Sequence, residues 1–256
     1  MPQDRIPTLL DIIVTSHWYH SSGWQIPTLK TLPKHLKDKI RRSHLKRGHM
    51  PNELFDALTH EQVRDVDLSS CEVVTDPMVL SLHRARGLRR LDLNNVRCQF
   101  DIKNLSNALS DMWGLRTLFL RRSNADDSLL RVLGKFCIHL EEIDLGYCVG
   151  VGDTGIGLLG EGCAKLKSLN FSSTSITDLG IQIFVQGEGR KCVTELRVDG
   201  CGLTDDGIQL ILMFCPNLHI LIFHNCPLVT DDSRIALEEY RIQNEMSLLQ
   251  LSWTVY

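Results

Sequence analysis

Apolar residues along this chain obey a repeating rule. From residue 63 onward the frame L-x-x-L-x-L-x-x-(C/N/T) recurs: "VRDVDLSSC" at 63, "LRRLDLNNV" at 88, "LRTLFLRRS" at 115 and "LEEIDLGYC" at 140. It returns as "LKSLNFSST" at 166, "VTELRVDGC" at 193, "LHILIFHNC" at 218 and "LLQLSWTVY" at 248, with starts 25 to 30 residues apart. The last two apolar residues of each motif, such as Ile143 and Leu145, alternate with polar ones, and a period of two predicts a short strand. Between motifs the period changes. In "TDDGIQLILMFC", Ile208, Ile211, Leu212 and Cys215 share one face at helical spacing. Pairs at Thr75-Asp76, Asp153-Thr154, Thr177-Asp178, Thr204-Asp205 and Thr230-Asp231 mark the expected helix starts, where a side-chain oxygen accepts a free backbone N–H.

A period of this length with this signature indicates leucine-rich repeats. The expected fold is α/β, a leucine-rich-repeat solenoid. A curved parallel β-sheet lines the concave face, helices form the convex face, and a helical cap closes the N-terminal end. No repeat buries its apolar face alone, so stability comes from neighbours. The expected division is a cap over residues 1–62 and repeats over 63–256.

The segment ahead of the array breaks the rule. In "LPKHLKDKI", residues 32–40, Leu32, Leu36 and Ile40 fall at helical spacing, and Pro33 sits in the first turn, where its missing N–H costs nothing. Residues 30–47 hold eight Lys or Arg against one Asp. A cap helix with a solvated basic face accounts for this, as does a short nuclear-import signal. No groove-reading motif accompanies the charge, so no nucleic-acid partner is expected. Further upstream, "IPTLLDIIV" carries Asp11 and has no small-residue cleavage site after it, so it is expected to be a helix and not a signal peptide. His17, Trp18, Tyr19, His20 and Trp24 are expected to pack the N-terminal arm onto the first repeat.

Composition narrows the chemistry. Hydrophobic residues make up 43%, charged residues 23%, and the net charge is −3. These values suit a folded protein with no bulk pull toward nucleic acid or an acidic membrane. No apolar run is long enough to span a bilayer. Seven of the nine cysteines fall in two columns. Cys71, Cys148, Cys201 and Cys226 follow a strand; Cys137, Cys163 and Cys215 close a helix. Cys98 and Cys192 stand apart. The columns predict small buried thiols with a weak S–H donor. With no C-x-x-C pair and no compact Cys/His cluster, no metal site is expected. Gly150, Gly152 and Gly155 match G-x-G-x-x-G spacing. The same offset elsewhere carries "SITDLGI" and "GLTDDGI", so a repeat loop is expected and not a phosphate cradle. Gly155, Gly180 and Gly207 recur one turn into a helix and predict tight packing between adjacent helices. No catalytic residue and no cofactor can be nominated. The expected location is cytoplasmic, nuclear or both.

The strand residues that face away from the core form columns. The central one runs Asp67, Asp92, Phe119, Asp144, Asn170, Arg197, Ile222, Ser252. Two apolar spots interrupt it. Phe119 stands with Arg121, Arg122 and, one repeat on, Tyr147. Ile220 and Ile222 stand beside His224. Aromatic and aliphatic side chains with arginine nearby have the composition of a protein-binding hot spot. Phe119, Arg121, Arg122, Tyr147, Arg197, Ile220, Ile222 and His224 are therefore the candidate substrate-binding residues.

The segments "CEVVTD", "CGLTD" and "CPLVTD" after the strands resemble those of F-box leucine-rich-repeat proteins. With "LPKHLKDKI", "ILIFHNCPLVTDDSR" and the terminal "WTVY", the chain resembles the antagonist-of-mitotic-exit-network family over nearly its whole length. The resemblance implies a non-catalytic substrate-recognition subunit of an SCF-type ubiquitin ligase, acting in protein degradation and cell-cycle control. It also implies a second possibility, a stand-alone inhibitor that sequesters a signalling partner. Leu32, Pro33, Leu36 and Ile40 are similar to the opening of an F-box and to a cullin-contacting box, and so become candidate adaptor-docking residues for a Skp-type or elongin adaptor and a cullin. Leu9 is similar to the leucine of an elongin-binding helix, but Ile13 stands where that helix carries cysteine. Only about 30 residues separate Leu32 from the first repeat, so any F-box here is truncated. Outside such a complex a monomer is expected, with no membrane partner.

Overall fold

A computed structural model describes residues 26–48, 50–243 and 250–252. "IPTLLDIIV", the aromatic cluster at 17–24 and "WTVY" lie outside them. Strands form where the alternating pairs fall. In chain order they are β1 (Asp65–Asp67), β2 (Val73–Thr75), β3 (Arg90–Asp92), β4 (Arg97–Gln99), β5 (Thr117–Phe119), β6 (Glu142–Asp144), β7 (Ser168–Asn170), β8 (Glu195–Arg197), β9 (Ile220–Ile222) and β10 (Gln250–Ser252). Eight of them make one parallel sheet in the order β1-β3-β5-β6-β7-β8-β9-β10. Its register repeats without slip: Leu91 lies beside Val66, Ile143 beside Leu118 and Leu221 beside Leu196. β2 and β4 pair separately, and single bridges from Asp126–Gly150 to Thr204–Leu228 extend that second row.

Helices return the chain to the next strand. They are α1 (Ile26–Thr31), α2 (Lys34–Lys46), α3 (Asn52–Leu58), α4 (Asp76–Ser81), α5 (Ile102–Ser110), α6 (Asp127–Phe136), α7 (Asp153–Gly162), α8 (Asp178–Phe184), α9 (Asp205–Phe214) and α10 (Asp232–Gln243). The central residue of every repeat strand from Val66 to Leu221 is buried against this layer. Each such side chain contributes roughly 1.5–3 kcal/mol. The same core runs on into the cap through Leu54, Phe55, Leu58, Ile40 and Leu29.

Two kinds of polar joint tie successive repeats together. The first is the thiol column. Cys148 Sγ donates to the Leu120 carbonyl at 3.1 Å, Cys201 Sγ to Phe171 at 3.2 Å and Cys226 Sγ to Val198 at 3.2 Å. Each thiol thus adds a hydrogen bond to a carbonyl just after the preceding repeat's strand, one that already accepts a turn N–H. At the helix ends, Cys137 Sγ lies 3.6 Å from Leu109 O and Cys163 Sγ 3.5 Å from Cys137 O. Burial pushes the Cys137, Cys163 and Cys215 thiols up to about 12. A thiolate is the reactive form. Iodoacetamide applied to the folded protein at pH 8 should therefore label Cys98 and Cys192, the two half-buried thiols, and leave the other seven until urea is added. Mass spectrometry of the labelled peptides checks this; early labelling of Cys163 would contradict the buried column.

The second joint was not foreseen. The aspartates that open α4, α6, α7, α8 and α9 reach forward to the next repeat. Asp153 accepts the Thr177 N–H and hydroxyl, both at 2.7 Å. Asp178 accepts the same pair from Thr204 at 3.0 and 2.6 Å, and Asp205 from Thr230 at 3.0 and 2.7 Å. This explains the recurrent glycines. A Cβ on Gly155, Gly180 or Gly207 would collide with the Oδ1 of Asp127, Asp153 or Asp178 respectively. The tight contact is therefore with a carboxylate as well as with the neighbouring helix.

The capping expectations are met in part. Thr177 and Thr204 do cap their helices, accepting from Leu179 and Asp206 N–H at 3.3 and 3.2 Å, and Thr230 accepts from Asp232 N–H at 3.2 Å. Thr75 caps nothing; its hydroxyl donates to Asn52 Oδ1 at 2.7 Å, tying the cap to the first repeat. Gly152 takes the capping position of α7, one residue before the expected Asp153. Asp101 and Asp126, which carry no Thr-Asp pair, cap α5 and α6. The Gly152 N–H already donates to Asp127 at 2.8 Å. A protein carboxylate thus takes a donor that a phosphate cradle would need.

Candidate protein-binding face

The expected Phe119 group divides into two ring contacts, Arg90 over Phe119 and Arg121 with Arg122 over Tyr147. Phe119 is half-buried on β5, and the Arg90 guanidinium lies over its ring, 4.7 Å from the centroid. Arg90 also holds Asp92 at 2.7 Å and approaches Asp65 at 3.6 Å. As a result Asp92, expected to face outward, is only 6% exposed. Burial, aided by the neighbouring Asp67 and Asp144 carboxylates, pushes Asp92 above the usual carboxylate range although Arg90 pulls the other way.

One step along, at the turns that leave the strands, Tyr147 is 43% exposed. The guanidinium groups of Arg121 and Arg122 each lie 4.8 Å from its ring centroid. Such stacks contribute about 0.5–1 kcal/mol at exposed sites. Both Arg122 and Tyr147 adopt left-handed backbone, φ 58° and 64°. The matching turns elsewhere use Asn95, Ser173, Gly200 and Asn225, of which the asparagines and the glycine accept this conformation readily. Gly146, beside the stack, is closely lined: a Cβ there would lie 3.2 Å from Asp144 Oδ1, 3.3 Å from Asn170 Nδ2 and 3.6 Å from Arg121 Cγ.

The second candidate group is arranged differently. Ile220 and Ile222 are half-buried on β9, as is His224 in the turn after it. β10 pairs alongside, with Gln250 beside Ile220 and Ser252 beside Ile222. The isoleucines are thus flanked by a strand and do not form the sheet's edge. Arg197 is held by Glu195 of its own strand at 2.8 Å.

The docking candidates divide. Ile40 is 1% exposed and belongs to the core, and Leu32 packs partly against it. Leu36 is half-buried and Pro33 exposed. The basic helix spends much of its charge within the chain. Lys34 pairs with Glu61, Lys30 with Asp56 at 3.5 Å and Arg41 with Asp38 at 2.9 Å. Arg41 is itself buried beneath the first strand, where burial lowers its pKa against the pull of Asp38. Among the described residues no group of three His, Cys, Asp or Glu side chains has metal-site geometry, and no helix is long and apolar enough to cross a membrane.

These features define a leucine-rich-repeat fold, a parallel sheet backed by helices. A family model described as leucine rich repeat matches residues 136–160, 162–183 and 191–212. The chain is similar to antagonist of mitotic exit network protein 1 of Eremothecium gossypii, 28% identical over 207 residues, which are 78% of this chain and 45% of that protein. It therefore spans less than half the length of that relative. It is also similar to the F-box protein SKIP19 of Arabidopsis thaliana, 24% identical over 209 residues, 69% of this chain and 68% of that one. Among solved structures, internalin C2 of Listeria monocytogenes superposes with a TM-score of 0.54 at 15% identity, covering 90% of this chain and 96% of that one. That likeness concerns the fold alone.

Proposed function

We propose that this chain is a non-catalytic recognition subunit of an SCF-type ubiquitin ligase. The repeat face holds a protein substrate and the N-terminal helices meet a Skp-type adaptor. The observation that carries the recognition half is the Phe119–Arg90 and Tyr147–Arg121–Arg122 cluster, aromatic and arginine side chains set on a rigid sheet. Similarity to a plant F-box protein supports the adaptor half, as does the accessible Pro33–Leu36 edge of α2.

A second reading has its own support. Ile40 lies in the core, so α2 closes the array whether or not an adaptor binds. A stand-alone inhibitor that occupies a signalling partner needs only that cap. Leu36→Asp separates the two, since it alters the accessible edge and spares Ile40. Wild type and variant are tagged, pulled from cell extract and blotted for Skp-type adaptor, elongin and cullin, with circular dichroism alongside. The ligase reading expects adaptor with wild type and a loss of tenfold or more with the folded variant. If wild type brings down no adaptor or cullin, the stand-alone reading replaces it.

A further inference from the structure

The arginines of the concave face fall into two kinds. Arg90, Arg116 and Arg197 are each neutralised by a carboxylate of the chain, at 2.7, 2.6 and 2.8 Å. Arg121 and Arg122 have no carboxylate within 4 Å among the described residues. They lie against the two-sided ring of Tyr147 instead. Ring contact leaves the in-plane N–H donors of a guanidinium unused, and that fork matches the paired oxygens of a carboxylate or phosphate. Of the nearby acids, Asp144 accepts the Gly146 N–H at 2.9 Å, and Asp199 is taken by the Ser172 hydroxyl at 2.8 Å and the His224 N–H at 3.0 Å.

The backbone adds an independent observation. Left-handed φ costs an ordinary L-residue roughly 1–2 kcal/mol, and strained positions held by bulky side chains gather at functional sites. The left-handed turn recurs at Asn95, Ser173, Gly200 and Asn225, and Arg122 and Tyr147 are the bulky side chains that occupy it, in adjacent repeats.

We infer that Arg121, Tyr147 and Arg122 form a clamp for an oxyanion carried by the protein partner, an acidic or phosphorylated side chain. This rests on the reading of the concave face as a protein-binding surface and specifies what it selects. Charge complementarity fixes the partner's chemistry: two uncompensated cations exclude a basic segment at this point and favour an acidic one.

The test uses the full chain and fluorescent peptide pools of matched composition. Their central residue is glutamate, phosphoserine, glutamine or lysine, and binding is read by anisotropy. The variant is Arg121→Gln with Arg122→Asn; asparagine already occupies the equivalent left-handed position at 95 and 225, so folding and melting temperature should be kept. The glutamate pool, the phosphoserine pool or both should bind at least tenfold more tightly than the glutamine pool. That preference should fade with added salt and vanish in the variant. Comparing the two acidic pools tells which oxyanion is preferred. Equal binding of all pools by wild type, or an acidic preference that survives in the variant, overturns the clamp. Leu36→Asp serves as a control: it should keep the preference, so a failure of the adaptor reading stays distinct from a failure here.

Discussion

Gly162→Ala should destabilise the array more than any single surface change, by about 3 kcal/mol or more. A Cβ at this position would land on the Gly134 carbonyl oxygen of the preceding helix and lie 2.6 Å from the Gly134 Cα. Both obstacles are backbone, so no rotamer change relieves them. Relief requires α6 and α7 to move apart, opening the core between Leu133 and Leu159, both wholly buried. Overpacking in a filled interior commonly costs 1–3 kcal/mol and sometimes more. Urea unfolding followed by circular dichroism measures the loss. A change under about 0.5 kcal/mol would mean that the two helices do not approach as described.

The second large effect is expected at the last aspartate joint. Asp205→Ala removes an acceptor that serves the Thr230 N–H and hydroxyl and the Ser233 N–H and hydroxyl. Hydrogen bonds to a charged group contribute about 1.5–3 kcal/mol each in favourable cases, and the site's partial exposure reduces the sum to about 2 kcal/mol. Because neighbouring repeats stabilise one another locally, the loss should appear first in α10. Amide exchange there should quicken about 30-fold, which is 2 kcal/mol at 25 °C. Acid gives the sign. Burial raises the Asp205 pKa, but the hydrogen bonds from Ser233 and Thr230 outweigh it, leaving it below the ordinary 3.8. Its contribution is complete above that value and is lost as pH falls through the lower folded value. Wild type and variant should therefore converge in acid and differ most near neutrality. A difference that grows in acid would contradict the joint.

Much of the fold was legible because one period governs two structures. The alternation at Ile143 and Leu145 and the helical spacing at Ile208, Ile211 and Leu212 left few other arrangements, and the buried cysteine columns followed from them. The aspartate joint was hidden by its resemblance to a local feature. A Thr-Asp pair before an apolar helix looks like a cap, and Thr177 and Thr204 do cap. The signal for the longer reach was the glycine one turn into the following helix, the space the carboxylate needs. In the candidate face, the column rule predicted which side chains point away from the core. It could not foresee that Arg90 would lie across Phe119 and cover Asp92, since lateral contacts depend on side-chain conformation and not on period. The cap was legible as an amphipathic helix. Which of its apolar residues turned inward required the partner surface, and Ile40 did while Leu36 stayed half-covered.

The joints have a consequence for how such a molecule changes length over evolutionary time. In the later repeats one unit offers the next a carbonyl for its thiol, a carboxylate for its threonine or room for its glycine, at nearly the same offset. A duplicated copy of such a unit would therefore arrive carrying both halves of its fastenings, with no new seam to invent. Slippage by a few residues leaves every fastening without its mate. Growth by such units is quantised, and the helical cap, which does not follow the period, has no copy along the described residues.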